Sequence, residues 1–329
     1  MNINNSTSPL VSVVVATYNS SATVIETLES IKNQTYQNIE LIVTDDCSTD
    51  NTVIICQKWL SENKNYFVHS ELVTTLQNTG VSGNFNRGIF QSKGEWIKSI
   101  AGDDLLIPTA IEEYVYFVKN HAEKVRMCVC DVECFSTDCE VPESLKKSYD
   151  VYFDKERAIY QQQLTQVLQK NVFVGPSFFY SRELFDEIGG FNISYGNGEE
   201  WPFAYKVLKS GNRIFAIDKK LVRYRFSLNS MSHFRNKSGL RNKRLELSLS
   251  QFYFDFPFKD LLKESHYLLA WDGYLYYKTL QLYCKSDGSK WASFLHKYSR
   301  YLSPYNYVRK IKRIINAFFL KMYFYTLCI

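Results

Sequence analysis

Two runs of apolar, β-branched residues in the first third of the chain each end in an acidic doublet. Ile39-Glu40-Leu41-Ile42-Val43-Thr44 leads into Asp45-Asp46, and Trp96-Ile97-Lys98-Ser99-Ile100-Ala101-Gly102 leads into Asp103-Asp104. Runs of this length, bounded by turn residues and spaced by helix-length stretches, predict buried parallel strands. In open α/β sheets, ligands sit just beyond the carboxyl ends of the strands. Adjacent carboxylates repel and are costly to desolvate, so a doublet there calls for cationic or hydrogen-bond-donating company. A hard divalent metal and the donors of a nucleotide are the natural candidates.

The rest of the first 234 residues continues the alternation. Val11 to Ala16 predicts a first strand, and Thr17-Tyr18-Asn19-Ser20 the turn beyond it. A helix to about Lys32 follows, with Val24, Ile25, Leu28 and Ile31 at helical spacing and Thr23 and Glu26 at capping-box spacing. Asp50 is an N-cap candidate for the next helix, which contains Val53, Ile54 and Leu60. A strand over Leu72 to Leu76, a helix over Ser82 to Gln91 and a helix after Pro108 complete a β-α-β-α order, which predicts a mostly parallel sheet. Further on, 126–135 reads as a strand, 136–156 as a polar loop or flap, and Arg157 to Gln169 as a helix. Val172 to Tyr180 reads as an apolar strand, and Ser181 to Ile188 as a short helix closed by Gly189-Gly190. Glu199-Glu200 opens a helix to about Lys209, before a strand pair, Arg213 to Ile217 and Leu221 to Phe226.

Charge divides the chain. Residues 235–329 hold 17 Lys and Arg against 6 Asp and Glu, a net +11, whereas residues 1–234 hold 22 against 28, a net −6. That basic end also carries 22 of the 52 aromatic residues. The expected organisation is a catalytic-looking domain over 1–234 and a basic, aromatic-rich helical extension over 235–329. Eight cysteines in 329 residues show no disulfide framework. Cys128, Cys130, Cys134 and Cys139 lack a two-residue knuckle and alternate as on a strand, so structural thiols are favoured over a zinc site. The polar start, Met1 to Pro9, does not read as a signal peptide, and no apolar stretch reaches the ~20 residues that span a bilayer. A cytoplasmic location is the expectation.

Four stretches in order carry a resemblance to the family-2 glycosyltransferases, inverting nucleotide-sugar enzymes with the GT-A fold, over about residues 8–233. They are Val11 to Asn19, Glu40 to Asp50, Asn78-Thr79-Gly80-Val81-Ser82 through Asn86 and Gly94 to Asp103-Asp104, and Gly189-Gly190-Phe191 with Glu199-Glu200-Trp201-Pro202-Phe203 and Tyr224-Arg225. The chain departs from the family pattern at Cys47, where Gly is usual, and at Phe85, where Arg is common. It also has Ser227 in place of a His, and Glu199-Glu200 in place of Glu-Asp. The Gln-x-x-Arg-Trp motif and membrane spans of processive synthases are absent from the sequence, which argues for transfer of a single sugar.

The resemblance implies a nucleotide-sugar half over about 8–125 and an acceptor half over about 126–234. Asp104 would ligate Mn²⁺ or Mg²⁺, hard cations suited to oxygen ligands and to neutralising a leaving diphosphate. Asp103 would face the ribose. Asp46 would accept from a ring N–H of the donor base, with Tyr18 packing on it; a uracil-type base, and so a UDP-sugar, fits that acceptor best. Arg225 would reach the diphosphate. Glu200, or else Glu199, would take the proton from the acceptor hydroxyl. Each residue also has a plainer reading: a turn or cap residue at Asp46 and Asp104, a strand-end packing ring at Tyr18, a surface strand residue at Arg225, and helix-first-turn acids at Glu199 and Glu200.

Ile311, Ile314, Ile315, Phe318, Phe319 and Met322 recur at helical spacing beside Arg309, Lys310, Lys312 and Arg313. This amphipathic stripe suits an anionic membrane surface, at the inner face of the plasma membrane, or packing on the catalytic domain. No nucleic-acid-binding module accompanies the charge. The expected activity is transfer from a UDP-sugar to a glycan acceptor, a polyprenyl-diphosphate-linked O-antigen or capsule intermediate. Two rivals are a non-catalytic nucleotide-sugar or glycan-binding protein and a sugar nucleotidyltransferase. The second should show a Gly-rich, basic loop after the first strand, which Thr17-Tyr18-Asn19-Ser20 is not.

Overall fold

The structure, a computed structural model, describes residues 8–141, 160–196, 198–227, 242–286, 289–305 and 307–308. Most of the 136–156 segment and the stripe from Ile311 to Met322 lie outside the described residues. The chain divides into two compact units, Met1–Phe234 and Arg235–Ile329.

The first unit is built on one mixed eight-stranded sheet, ordered β3-β2-β1-β4-β7-β6-β8-β5. Its strands are β1 (Val11–Thr17), β2 (Ile39–Asp45), β3 (His69–Thr74), β4 (Trp96–Ala101), β5 (Leu105–Leu106), β6 (Met127–Phe135), β7 (Phe179–Ser181) and β8 (Phe215–Arg225). Between β1 and β7 run helices α1 (Val24–Lys32), α2 (Thr52–Asn63), α3 (Gly80–Gln91) and α4 (Ala110–Asn120). Helices α5 (Tyr160–Val167), α6 (Arg182–Glu187) and α7 (Glu200–Lys209) belong to the second half. Strands β1 to β4 pair in parallel as the alternation predicts. β7 is antiparallel to both β4 and β6, β8 is parallel to β6, and β5 is antiparallel to β8. Val11, Val13 and Val15 of β1 and Ile39, Leu41 and Val43 of β2 meet Leu28 and Ile31 of α1 and Trp59 of α2 in the core. Continuous β-branched burial explains why these segments are strands covered by helices.

Three local expectations are corrected. Val172 to Tyr180 is not a continuous strand, because a 3₁₀ turn over Gly175–Ser177 holds Pro176, which has no ladder N–H to give. The final strand pair is one strand, β8, whose register against β6 jumps from Cys130↔Ile217 to Asp131↔Lys220. An irregularity of that kind bends a strand without ending it. The Thr23/Glu26 capping box does not form: Thr23 Oγ1 donates to the Gly102 carbonyl at 2.8 Å, and Glu26 pairs with Arg225. Both side chains are used on the sheet's rim instead.

The second unit is helical, with α8 (Lys243–Asp255), α9 (Pro257–Lys263), α10 (Tyr267–Lys285) and α11 (Lys290–Tyr298). Tyr253 stacks on Tyr277 at 4.4 Å between ring centroids, in space opened by Gly273, where a Cβ would lie 2.0 Å from the Tyr253 hydroxyl. Among the described residues, no helix is long and apolar enough to cross a membrane.

Candidate active site

Register brings the functional candidates to one rim of the sheet. Thr17 of β1 lies opposite Asp45 of β2, and Ala16 lies opposite Ala101 of β4, so Tyr18, Asp46 and the Gly102–Asp104 turn leave neighbouring strands at the same end. The backbone ties these tips together: Asp46 N–H donates to the Thr17 carbonyl at 3.0 Å and Gly102 N–H to the Ala16 carbonyl at 2.9 Å. Asp45 is an internal brace. Its carboxylate accepts from Thr17 Oγ1 at 2.8 Å, from Ser48 N at 2.8 Å and from Ser48 Oγ at 2.6 Å.

The Asp46 side chain is buried at the N-terminus of α3. It accepts from Thr79 N at 2.9 Å, Thr79 Oγ1 at 2.6 Å, Gly80 N at 2.8 Å and Arg87 Nη2 at 2.9 Å. Helix-start amides and a guanidinium suit a carboxylate for the same electrostatic reason. Tyr18 beside it is 49% exposed, leaving a ring face open at the rim. Sequence reasoning missed Arg87, Thr79 and Gly80 as Asp46 partners. The legible signal was Asn84 and Arg87 three apart on one helix, which place them on one face; Arg87 Nη1 indeed reaches Asn84 Oδ1 at 3.0 Å. Asn86, one of the motif residues, is structural. It clamps Phe191 through both its side-chain atoms, at 2.8 and 2.9 Å, beside Gly190 at φ +65°.

Asp104 has no exposed surface. Its Oδ1 accepts from Arg225 N at 2.9 Å, whereas Oδ2 is buried with no hydrogen-bond partner. Burial, and then the charge of Asp103, push the Asp104 carboxyl well above the usual range; burial also raises Asp103, against the pull of Arg225. Two crowded carboxylates with an unused, buried oxygen match what a divalent cation would relieve. Among the described residues no group of three or more His, Cys, Asp or Glu is placed to hold a metal, the cysteine cluster included. Cys128 and Cys130 are free, buried thiols whose pKa burial raises.

Arg225 is buried behind the doublet. Its Nε donates to the Asp103 carbonyl at 2.8 Å, Nη2 to Glu26 at 2.8 Å and Nη1 to Thr137 Oγ1 at 3.3 Å, and the guanidinium lies 4.5 Å from the Phe135 ring centroid. Glu26, the other half of this ion pair, was not expected at the site.

Glu199 and Glu200 start α7, which Trp201 Nε1 pins to the Val167 carbonyl at 2.6 Å. Glu199 Oε2 is buried without a partner. Burial raises both carboxyls, and the Glu200 charge raises Glu199 further. Gly175 backs the pair: a Cβ there would lie 2.9 Å from Glu200 Cγ and 3.5 Å from Glu199 Oε1. A carboxylate held above its ordinary pKa is suited to taking a proton near neutrality.

Known proteins resemble this chain in fold and in sequence. Solved structures show the same fold: Staphylococcus aureus TarS 1-349 in complex with UDP-GlcNAc (18% identity, 88% of this chain and 91% of that one, TM-score 0.57) and the mannosyltransferase PcManGT of Pyrobaculum calidifontis in complex with GDP-Man and Mn²⁺ (20%, 93% and 83%, 0.54). The architecture is therefore GT-A with a C-terminal set of helices. Among sequences, the putative glycosyltransferase EpsE of Bacillus subtilis is 34% identical over 113 residues, 34% of this chain and 40% of EpsE. A UDP-Glc:α-D-GlcNAc-diphosphoundecaprenol β-1,3-glucosyltransferase of Escherichia coli, WfaP, is 34% identical over 119 residues, 35% of this chain and 43% of WfaP. The alignments thus span less than half the length of these two relatives. The profile described as Glycosyl transferase family 2 matches residues 12–189, and with the rim of acidic doublets it fixes the assignment: the chain belongs to glycosyl transferase family 2.

Proposed function

We propose that the protein is an inverting, metal-dependent glycosyltransferase that moves one sugar from a UDP-sugar to a lipid-linked glycan during surface-polysaccharide assembly. The observation that carries the reading is Asp104, fully buried beside Asp103 with Oδ2 left unpaired at the end of β4. Asp103 and Asp104 would hold Mn²⁺ or Mg²⁺ together with the donor's diphosphate, and the cation supplies charge neutralisation at that diphosphate. Tyr18 would offer its open face to the base, and Asp46, whose two buried oxygens already accept from Thr79, Gly80 and Arg87, would accept from the base N–H in exchange for one of those donors. Asp103 would also meet the ribose. Arg225 would lend positive charge toward the diphosphate from behind the doublet while bracing it. Residues 8–125 would then form the donor half and 126–234 the acceptor half.

Glu200 is the proposed base, with Glu199 as the alternative. Direct displacement at the anomeric carbon moves the acceptor hydroxyl proton to Glu200 as the new glycosidic bond forms and the bond to the diphosphate breaks. A UDP donor and a polyprenyl-diphosphate-linked acceptor are supported by the substrates in the name of WfaP, and UDP also by the TarS complex. Work at the cytoplasmic face of the membrane fits the basic second unit, where α11 exposes Trp291, Phe294 and Tyr298.

The test is UDP binding by calorimetry with and without Mn²⁺, and transfer by Glu200→Gln. Asp104→Ala should abolish the Mn²⁺-dependent part of UDP binding, and Glu200→Gln should cut turnover by about 10²–10⁴-fold at unchanged UDP affinity. Retention of metal-dependent binding by Asp104→Ala defeats the metal assignment. Loss of liposome association on removing residues 305–329 would support the membrane role, and unchanged association would end it.

A further inference from the structure

Lys98 is the one lysine of β4, and its side chain has no exposed surface. A charged residue in a strand core is expensive unless every donor is satisfied. Here the ammonium is met by backbone oxygens: Nζ donates to the carbonyls of Ser99 at 2.9 Å, Phe178 at 3.3 Å and Pro176. Among the described residues no carboxylate lies within ion-pair distance of Nζ. Burial lowers the group to about 8, against the opposing influence of Cys130 and Asp104.

Two of those three carbonyls belong to the segment 175–178, whose first residue, Gly175, lies so close to both catalytic candidates that a Cβ there would meet Glu200 Cγ at 2.9 Å and Glu199 Oε1 at 3.5 Å. Tyr114 braces the same segment, its hydroxyl 3.0 Å from the Ser177 carbonyl. The strand carrying Lys98 continues into Asp103-Asp104. A single buried side chain thus connects the strand of the acidic doublet to the turn that seats the glutamates.

We propose that Lys98 is a positioning residue, which fixes the Gly175–Ser177 turn, and through it Glu200, relative to the strand that delivers Asp103-Asp104. The proposal rests on Glu200 being the base. A neutral side chain of similar length would take the Lys98 donor from the Pro176 carbonyl in the turn and from the Phe178 carbonyl just after it, in a buried place. The turn would then shift to find partners, and Glu200 would shift with it. Misplacement by about 1 Å is enough to cost on the order of 10²-fold in rate.

The experiment uses the full chain, with UDP as the binding probe in Mn²⁺ and UDP release from UDP-glucose and UDP-N-acetylglucosamine as the turnover assay. Lys98→Met should lower turnover by about 10–100-fold while UDP affinity stays within about twofold. A role in stability alone would lower the melting temperature without separating turnover from UDP binding in the folded fraction. Lys98→Gln keeps an N–H donor on an arm too short to reach both carbonyls, and should produce the same separation in smaller measure. It also decides the matter if Lys98→Met does not fold. Unchanged turnover in Lys98→Met, or in Lys98→Gln where the first variant is insoluble, overturns the proposal while Glu200→Gln is inactive. If Glu200→Gln itself turns over normally, the assignment of the base falls first and this inference with it.

Discussion

Arg87 holds the Asp46 carboxylate through a 2.9 Å ion pair, from a position two residues after Phe85, where chains of this family commonly carry an arginine. The pair is largely withdrawn from solvent, with side-chain exposures of 18% and 3%. A buried charge whose partner is removed is left with its desolvation cost and no compensation. Arg87→Met should therefore weaken UDP binding by about tenfold or more, and a double-mutant cycle with Asp46→Asn should give a coupling of about 1.5–3 kcal/mol. Additive losses would mean that the two residues act separately on the nucleotide.

Cys47 adopts φ +66° immediately after Asp46, in the left-handed region that disfavours a side chain. The strain is about 1–2 kcal/mol. Glycine removes it but costs roughly 0.5–1 kcal/mol more backbone entropy on folding. The net is a gain of about 0–1.5 kcal/mol for Cys47→Gly. Differential scanning fluorimetry should show a melting temperature raised by up to about 6 °C and not lowered, with UDP affinity unchanged.

The glutamate pair gives a pH dependence of defined sign. Burial raises both folded-state carboxyls above the ordinary value of 4.5. Below 4.5 both states are protonated and the pair costs nothing. As pH rises past that value the unfolded chain loses its protons first, so stability falls until the folded carboxyls ionise. Glu199→Gln should thus raise the melting temperature at pH 7.5 and leave it unchanged near pH 4. Turnover runs the other way, since the base must be ionised. Its acid limb should lie above the ordinary glutamate pKa, and a limb at 4.5 would show that neither residue is held in a buried setting during catalysis.

Strands β1, β2 and β4 and both acidic doublets were legible in the sequence because burial on both faces writes itself as unbroken β-branched runs. The resemblance then supplied the GT-A fold, which the structure bears out. What the sequence concealed depends on distance along the chain. The Glu26–Arg225 pair joins residues from opposite ends of the first unit, and no local spacing announces it. Thr23 and Glu26 even satisfied a helix-cap pattern while serving the sheet rim. Lys98 was visible as a charge inside an apolar run, but its meaning depended on where residues 175–178 return. Pro176 was likewise in plain view, and the apolar residues around it masked the turn it makes.

Arg225 separates two ways in which a cation can serve this site. If it acts only as positive charge near the diphosphate, Arg225→Lys should preserve most of the function. The structure gives the guanidinium a geometric task as well: Nε to the Asp103 carbonyl and Nη2 to Glu26, 2.8 Å each, with the plane over Phe135. A lysine ammonium is a point charge that cannot hold both contacts and stack at once. Arg225→Lys should then lose Mn²⁺-dependent UDP affinity by about tenfold, close to the loss from Arg225→Met. Glu26→Gln should cost less, within about threefold, because the amide oxygen can still accept from Nη2 at a Glu26 side chain that is 53% exposed. Calorimetric titration with UDP at fixed Mn²⁺ checks both variants. Full affinity in Arg225→Lys would show that charge alone suffices, and that the doublet keeps its geometry without the guanidinium contacts.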